Sequence, residues 1–254
     1  MNLNDLKKVP RNINPGVRSA KLQTMAALLG NPRSSFDADC QPVTNPTLKK
    51  LIVLEDVGPF RITGLKPAVD DLRIIFADVK ANDPGLYAAL GTAGMLCCRL
   101  VRGTKTGAIS NHSWGTAIDI KINDVLDRRG DGKVLQGLIN LAPFFNKQGW
   151  FWGADFGTED GMHFEVGDDR IREFHKAGLF TGRSVVPPEL ALNIGDRGPE
   201  VRHLQERLNS FGSGLKVDGI YGPTTHAAVI SFQAEKGFDP DGIIGSKTAA
   251  ALGL

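Results

Sequence analysis

Two short segments constrain this chain most: Ser110-Asn-His-Ser-Trp-Gly-Thr-Ala-Ile-Asp-Ile120 and Asp160-Gly-Met-His-Phe-Glu165. Thr116 to Ile122 is rich in β-branched residues and alternates in part, which predicts a strand. In Met162–Val166 the period is cleaner, with Met162, Phe164 and Val166 on one side and His163 and Glu165 on the other. Two adjacent antiparallel strands would bring Asp119 and His163 to one point. Gly115 lets the chain turn tightly before the first strand, with His112 in the entering loop. Two imidazoles and one carboxylate are the ligand set of an open zinc site that keeps a position for water. Asp160, ahead of His163 in the second segment, is placed to act on that water. The pattern points to metal-assisted hydrolysis.

The spaced residues Ser110-x-His112-x-x-Gly115-x-Ala117-x-Asp119, followed by Asp160-x-x-His163-Phe164, resemble the zinc peptidases of bacterial peptidoglycan. That family holds D-alanyl-D-alanine carboxypeptidases, vancomycin-resistance dipeptidases and phage L-alanyl-D-glutamate endolysins. The resemblance implies one zinc ion on His112, Asp119 and His163, with the acid ahead of the last histidine as catalytic base. Many members carry Glu at that position. Asp160 here is similar to the L-alanyl-D-glutamate endolysin branch, with D-alanyl-D-alanine cleavage as the alternative. The family also places an arginine on a strand upstream of the first ligand, which implies Arg99 within Met95–Val101, with Arg102 as its competitor. Ser110, Trp114 and Trp152 are the expected substrate contacts, although either indole could instead pack in the core. The resemblance spans about residues 35 to 180, and the first 35 residues match nothing in it.

Composition agrees with a globular hydrolase: 254 residues, 41% hydrophobic and 23% charged, with a net charge of +2 that gives no argument for nucleic acid. No apolar run approaches a membrane span, and a monomer without membrane insertion is expected. Residues 1–10 lack an apolar h-region, so no signal peptide is expected. The reading is of a chain made in the cytoplasm and released to the wall by a holin-type pore. Three cysteines do not make a disulfide framework. Cys97 and Cys98 would point to opposite faces of a strand, and three free thiols are expected, with Cys40 the only possible partner for either.

A helix is predicted over Arg170–Gly178, and then Thr181-Gly-Arg-Ser-Val-Val-Pro-Pro188 interrupts all periodicity, a stiff linker. Beyond it Asp218-Gly-Ile-Tyr-Gly-Pro-Thr-Thr-His-Ala-Ala-Val229 repeats as Asp241-Gly-Ile-Ile-Gly-Ser-Lys-Thr-Ala-Ala-Ala-Leu252. Helical stripes run through Val201, Leu204, Leu208 and Phe211, and through Thr225, Ala228, Val229 and Phe232. With Gly195-Asp-Arg-Gly-Pro-Glu-Val-Arg-His-Leu-Gln205, this region resembles the peptidoglycan-binding domain found beside wall hydrolases. Six Lys/Arg against seven Asp/Glu over residues 190–254 give no pull toward nucleic acid, and His203 and His226 lack ligand partners. Asp127-Arg-Arg-Gly-Asp-Gly132 lacks the closing Glu of a calcium loop and reads as a plain turn.

The expected architecture is α+β: a small, mostly antiparallel sheet with flanking helices over residues 1–180, a linker at 181–192, and a three-helix domain at 193–254. The expected activity is zinc-dependent cleavage of peptidoglycan stem peptides. The competing readings are a non-catalytic zinc domain, as in hedgehog signalling proteins, and a structural phage or envelope component.

Overall fold

The computed structural model describes residues 2–101, 108–180 and 192–254. Cα packing separates two units, Met1–Lys176 and Ala177–Leu254. The first opens with β1 (Leu6–Lys8), α1 (Leu22–Leu29), α2 (Pro46–Lys49), β2 (Ile52–Asp56), β3 (Arg61–Leu65), α3 (Lys66–Asn82) and α4 (Pro84–Ala88). It continues with β4 (Leu90–Gly94), β5 (Ala117–Ile122), β6 (Val125–Leu126), β7 (Lys133–Leu135), α5 (Gln136–Lys147), β8 (Trp150–Trp152), β9 (His163–Val166) and α6 (Asp168–Lys176). The fold is α+β. The central sheet is antiparallel in the order β4-β5-β9-β8, with β6 also paired to β5.

Strand parity decides what the sheet's two faces do. Ile118 lies opposite Phe164, and Trp152 is the next partner of Phe164 across the sheet. This face is closed by α3 and α5 in an aromatic core: Phe145 packs on Phe164 (4.2 Å between centroids) and on Trp150 (5.5 Å), and Phe76 on Phe145 (6.0 Å). Full burial of side chains this large contributes roughly 1.5–3 kcal/mol each. The other face presents Asp119 opposite His163 and Ala117 opposite Glu165.

The first 35 residues, silent in the sequence, are built into this unit. Asn14, at φ 58°, accepts from Trp152 N (2.7 Å) and donates to Trp152 O (2.9 Å), pairing the free edge of β8 as a further strand residue would. Trp114 donates to Gly30 O (2.7 Å).

The strand expected over Met95–Val101 does not form. β4 ends at Gly94, and the following segment makes single bridges, Gln41 with Cys98 and Leu100 with Ile109. The first bridge corrects the expectation of three free thiols. It lays Cys40 beside Cys97 with Cα atoms 5.1 Å apart, inside disulfide span, and the two are bonded while Cys98 stays free and buried. Of the expected linker, residues 181–191 lie outside the described residues, as does Arg102.

In the second unit α7 (Pro199–Ser210), α8 (Pro223–Glu235) and α9 (Ser246–Leu252) close on Val201, Leu204, Leu208, Tyr221, Val229, Phe232, Ile244, Ala249 and Leu252. Phe211 is not in that core. It is largely exposed at the end of α7, edge-on to Phe232. The Asp-Gly repeat has a buried glutamine in each copy. Gln205 donates to Asp218, Ile220 O and Thr225 and accepts from Gly219 N; Gln233 makes the same bonds to Asp241, Ile243 O, Thr248 and Gly242 N. Helix α8 serves both copies, with Thr225 at its start and Gln233 near its end. Among the described residues, no helix is long and apolar enough to cross a membrane.

Candidate metal centre

His112 stands on a 3₁₀ turn, Asn111–Trp114, that ends in Gly115 at φ 67°. A side chain at Gly115 would meet Leu65 N at 2.7 Å, while Leu65 N donates to Gly115 O (2.8 Å), so the turn is pressed against the end of β3. Gly153 likewise lets the chain ahead of Asp160 pack tightly: an added Cβ would lie 2.8 Å from Asp160 O and 3.1 Å from His163 Cβ. These contacts bring three donor atoms together. His112 Nε2 is 3.2 Å from His163 Nδ1 and 3.2 Å from Asp119 Oδ1, and His163 Nδ1 is 3.3 Å from Asp119 Oδ1. Ligand atoms around a tetrahedral zinc at about 2.0–2.1 Å are separated by about 3.3–3.4 Å. The near-equilateral triangle fits that ion, and among the described residues it is the one group of three such side chains close enough to hold a metal.

The tautomer of each ring is set by the atom behind it. His112 Nδ1 donates to Met95 O (2.8 Å), and His163 Nε2 donates to Glu165 Oε2 (2.9 Å), so Nε2 of the first and Nδ1 of the second are the ring atoms turned into the triangle. Burial disfavours ionisation of Asp119, yet its hydrogen bonds to His112 and His163 hold it well below the usual carboxylate range. Burial also opposes protonation of His163. The Asp119 and Glu165 carboxylates override that and lift the ring to about 10. Burial of Glu165 is outweighed by its bonds to His163, Ser19 and Asn111, which keep it ionised. A metal entering this group must displace the His163 proton.

Asp160 sits on the turn before β9, its carbonyl accepting from His163 N (3.1 Å) and its N–H donating to Gly153 O (3.0 Å). Its Oδ2 is 3.3 Å from Arg129 Nε, whereas Oδ1 is buried without a hydrogen-bond partner. Burial raises this carboxyl above its ordinary value and Asp119 adds to the rise, while His163, Arg129 and His112 oppose it.

Arg129 lies in the Asp127–Gly132 turn, which is fastened to Glu159 by Gly130 N (3.1 Å to O) and Gly132 N (2.8 Å to Oε1). Asp127 is buried there, one oxygen accepting from Leu135 N (3.0 Å) and the other unpartnered. Burial, with Asp131, Asp160 and Glu159 nearby, pushes its carboxyl up to about 6 against the Leu135 bond. Because the folded value exceeds the unfolded one, the protonated form favours folding. That contribution is complete below about pH 4 and is lost as pH rises through about 6. Asp127→Asn should therefore unfold at a higher temperature than the unsubstituted chain at pH 8, by on the order of 1–3 kcal/mol, and gain little at pH 4.5. Thermal denaturation at the two pH values checks this; equal gains at both would remove ionisation as the cause.

The surroundings of the other expected site residues differ from one to the next. Arg99 is half-buried, its N–H donating to Ser113 Oγ (3.1 Å) and its Nη1 to Leu100 O (3.1 Å); the arginine on Asp160 is Arg129. Ser110 is buried, its backbone carrying the turn between Arg99 O and Ser113 N. Trp114 and Trp152, expected as substrate contacts, are fully buried. Trp152 points to the core face, stacks on Phe164 (6.0 Å) and donates to Gly161 O (2.7 Å). The aromatic beside the centre is Phe156, half-buried and 5.7 Å from the His163 ring, backed by Phe151 (5.3 Å). Neither Arg129, Phe156 nor the role of Glu165 is predicted by the sequence reading.

The chain thus sets an α+β unit with a His/Asp/His group ahead of a helical unit. Residues 103–166 match the family described as D-alanyl-D-alanine carboxypeptidase, and residues 197–252 match the one described as putative peptidoglycan binding domain. The chain carries a segment similar to the first family ahead of a segment similar to the second. It is 43% identical over 60 residues to a zinc D-Ala-D-Ala carboxypeptidase of Streptomyces albus G, covering 22% of this chain and 24% of that one. It is 47% identical over 66 residues to an uncharacterized protein of Kitasatospora aureofaciens, covering 25% and 56%. The chain therefore spans about half of one curated relative and about a quarter of the other. Among solved structures, the Burkholderia AP3 phage endolysin is similar at 45% identity over 25% of each chain, with a TM-score of 0.25.

Proposed function

We propose that this chain is a single-zinc peptidase that cuts stem peptides of bacterial peptidoglycan, as an endolysin acting on the L-alanyl-D-glutamate bond. The observation that carries the reading is the triangle of His112 Nε2, Asp119 Oδ1 and His163 Nδ1 with the Asp160 carboxylate beside it. His112, Asp119 and His163 hold the ion. Zinc bound there supplies a Lewis acid that activates water at neutral pH. Asp160 is the base: Arg129 engages Oδ2 and leaves Oδ1 to take a proton from the attacking water and pass it to the leaving nitrogen. A base of this kind distinguishes a peptidase from a domain that merely binds zinc. Residues 193–254 act as the wall anchor, raising the effective concentration of the peptidase on an insoluble polymer.

Digestion of purified peptidoglycan followed by mass spectrometry tests the reading. New amino-terminal D-glutamate is the expected product, abolished by chelator and restored by zinc. Release of free D-alanine instead would make the chain a carboxypeptidase. Undiminished cleavage in excess chelator, with metal absent by elemental analysis, would end the zinc assignment.

A further inference from the structure

Glu165 is a fully buried carboxylate with three donors, and one of them comes from a distant part of the chain. Ser19 Oγ donates to Oε1 (2.6 Å), Asn111 Nδ2 to Oε2 (2.9 Å), and His163 Nε2 to Oε2 (2.9 Å). Ser19 lies 146 positions before Glu165 and outside both matched segments, 103–166 and 197–252. The backbone around it is fixed on either side. Arg18 O accepts from Asp168 N (2.9 Å), Lys21 N donates to Asp168 Oδ1 (3.1 Å), and Ala20 O accepts from Asn111 Nδ2 (3.4 Å). A Cβ at Gly167 would meet Gly149 O at 2.5 Å, and this segment closes on it too, with Val17 Cγ1 at 3.0 Å and Arg18 O at 3.1 Å.

We infer that residues 17–21 form a strap belonging to the metal centre, in which Ser19, acting through Glu165, positions His163 to bind the ion through Nδ1. Resting on the zinc reading above, the inference makes Ser19 a positioning residue. Its hydroxyl fixes one carboxylate oxygen of Glu165. That leaves the other in line with His163 Nε2–H, and so holds the ring with Nδ1 toward His112 and Asp119. Without the hydroxyl, Oε1 loses its donor in a buried site, and Glu165 can rotate away from the ring. Groups behind a metal-ligating histidine are typically worth 10- to 100-fold in metal affinity.

The test compares the full chain with Ser19→Ala and Ser19→Thr. Zinc affinity is measured by competition with a chromophoric chelator, and the rise in unfolding temperature that zinc produces is measured beside it. Ser19→Ala should bind zinc about 10-fold more weakly and show a smaller zinc-induced rise. Ser19→Thr, which keeps the hydroxyl, should restore both. A purely structural role for Ser19 would lower the unfolding temperature equally with zinc and in chelator. Unchanged zinc affinity in Ser19→Ala, or an equal lowering of both temperatures, overturns the inference alone. Failure of the unsubstituted chain to bind zinc overturns the proposed function with it.

Discussion

Asp160→Asn is expected to leave zinc bound and to lower turnover about 100- to 10,000-fold, the range that a positioned general base contributes. Asn keeps the shape of the side chain and its capacity to accept from Arg129, so the loop should not move. What disappears is an oxygen able to take a proton at Oδ1, the buried atom that has no other partner. Asp160→Glu should retain part of the rate, because the chemistry survives while the carboxylate shifts by a methylene. Glu165 is the neighbouring carboxylate that could compete for the role, and its geometry argues against it. It lies on Nε2 of His163, the side of the ring turned away from Asp119 and His112. Glu165→Gln should therefore act on zinc affinity, with turnover recovering as zinc is added. Zinc content and turnover measured for both variants separate the two. Normal turnover in Asp160→Asn, with a zinc-independent loss in Glu165→Gln, would move the base to Glu165.

The chemistry-bearing strands were legible because each carries its own local signal. Alternation in Met162–Val166 sets His163 and Glu165 on one face, and the β-branched run before Ile122 sets Asp119 in a strand. Antiparallel pairing then needs one register to bring Asp119 opposite His163. The core position of Trp152 is hidden in the sequence for the complementary reason. Trp150-Phe-Trp152 is apolar at every position, so no alternation reveals which ring faces the core, and only pairing with β9 assigns Trp152 to the side of Phe164. Arg99 lies in an apolar run that resembles a strand, but β4 stops at Gly94 before reaching it. Ser19, Asn14 and Arg129 act through contacts with residues far away in the chain or across a loop, and no periodicity marks them. The Asp-Gly repeat was visible, while its partners Gln205 and Gln233 were not. Each sits next to a core residue, Leu204 or Phe232, and reads as an ordinary polar position on a helix.

Removing a ligand should have the largest effect of all, with a graded cost in stability. His112→Ala, Asp119→Ala and His163→Ala should each lose zinc and with it detectable peptidase activity, because no other described group of three side chains can hold the ion. Their effects on the metal-free fold should differ. Without His112 the group left behind is a backbone carbonyl, Met95 O, at a cost of about 1–3 kcal/mol if it finds no other donor. Without His163 two carboxylates lose their cationic partner: Asp119, which keeps His112, and Glu165, fully buried and then held only by Ser19 and Asn111. Breaking a buried pair in this way costs about 3–5 kcal/mol. In chelator, His163→Ala should therefore unfold at clearly lower denaturant than His112→Ala. The double variant His163→Ala with Glu165→Gln should recover part of the difference, since the stranded charge is gone. Equal stability of the two single variants, or no recovery in the double, would mean that Glu165 is not held ionised by the His163 ring.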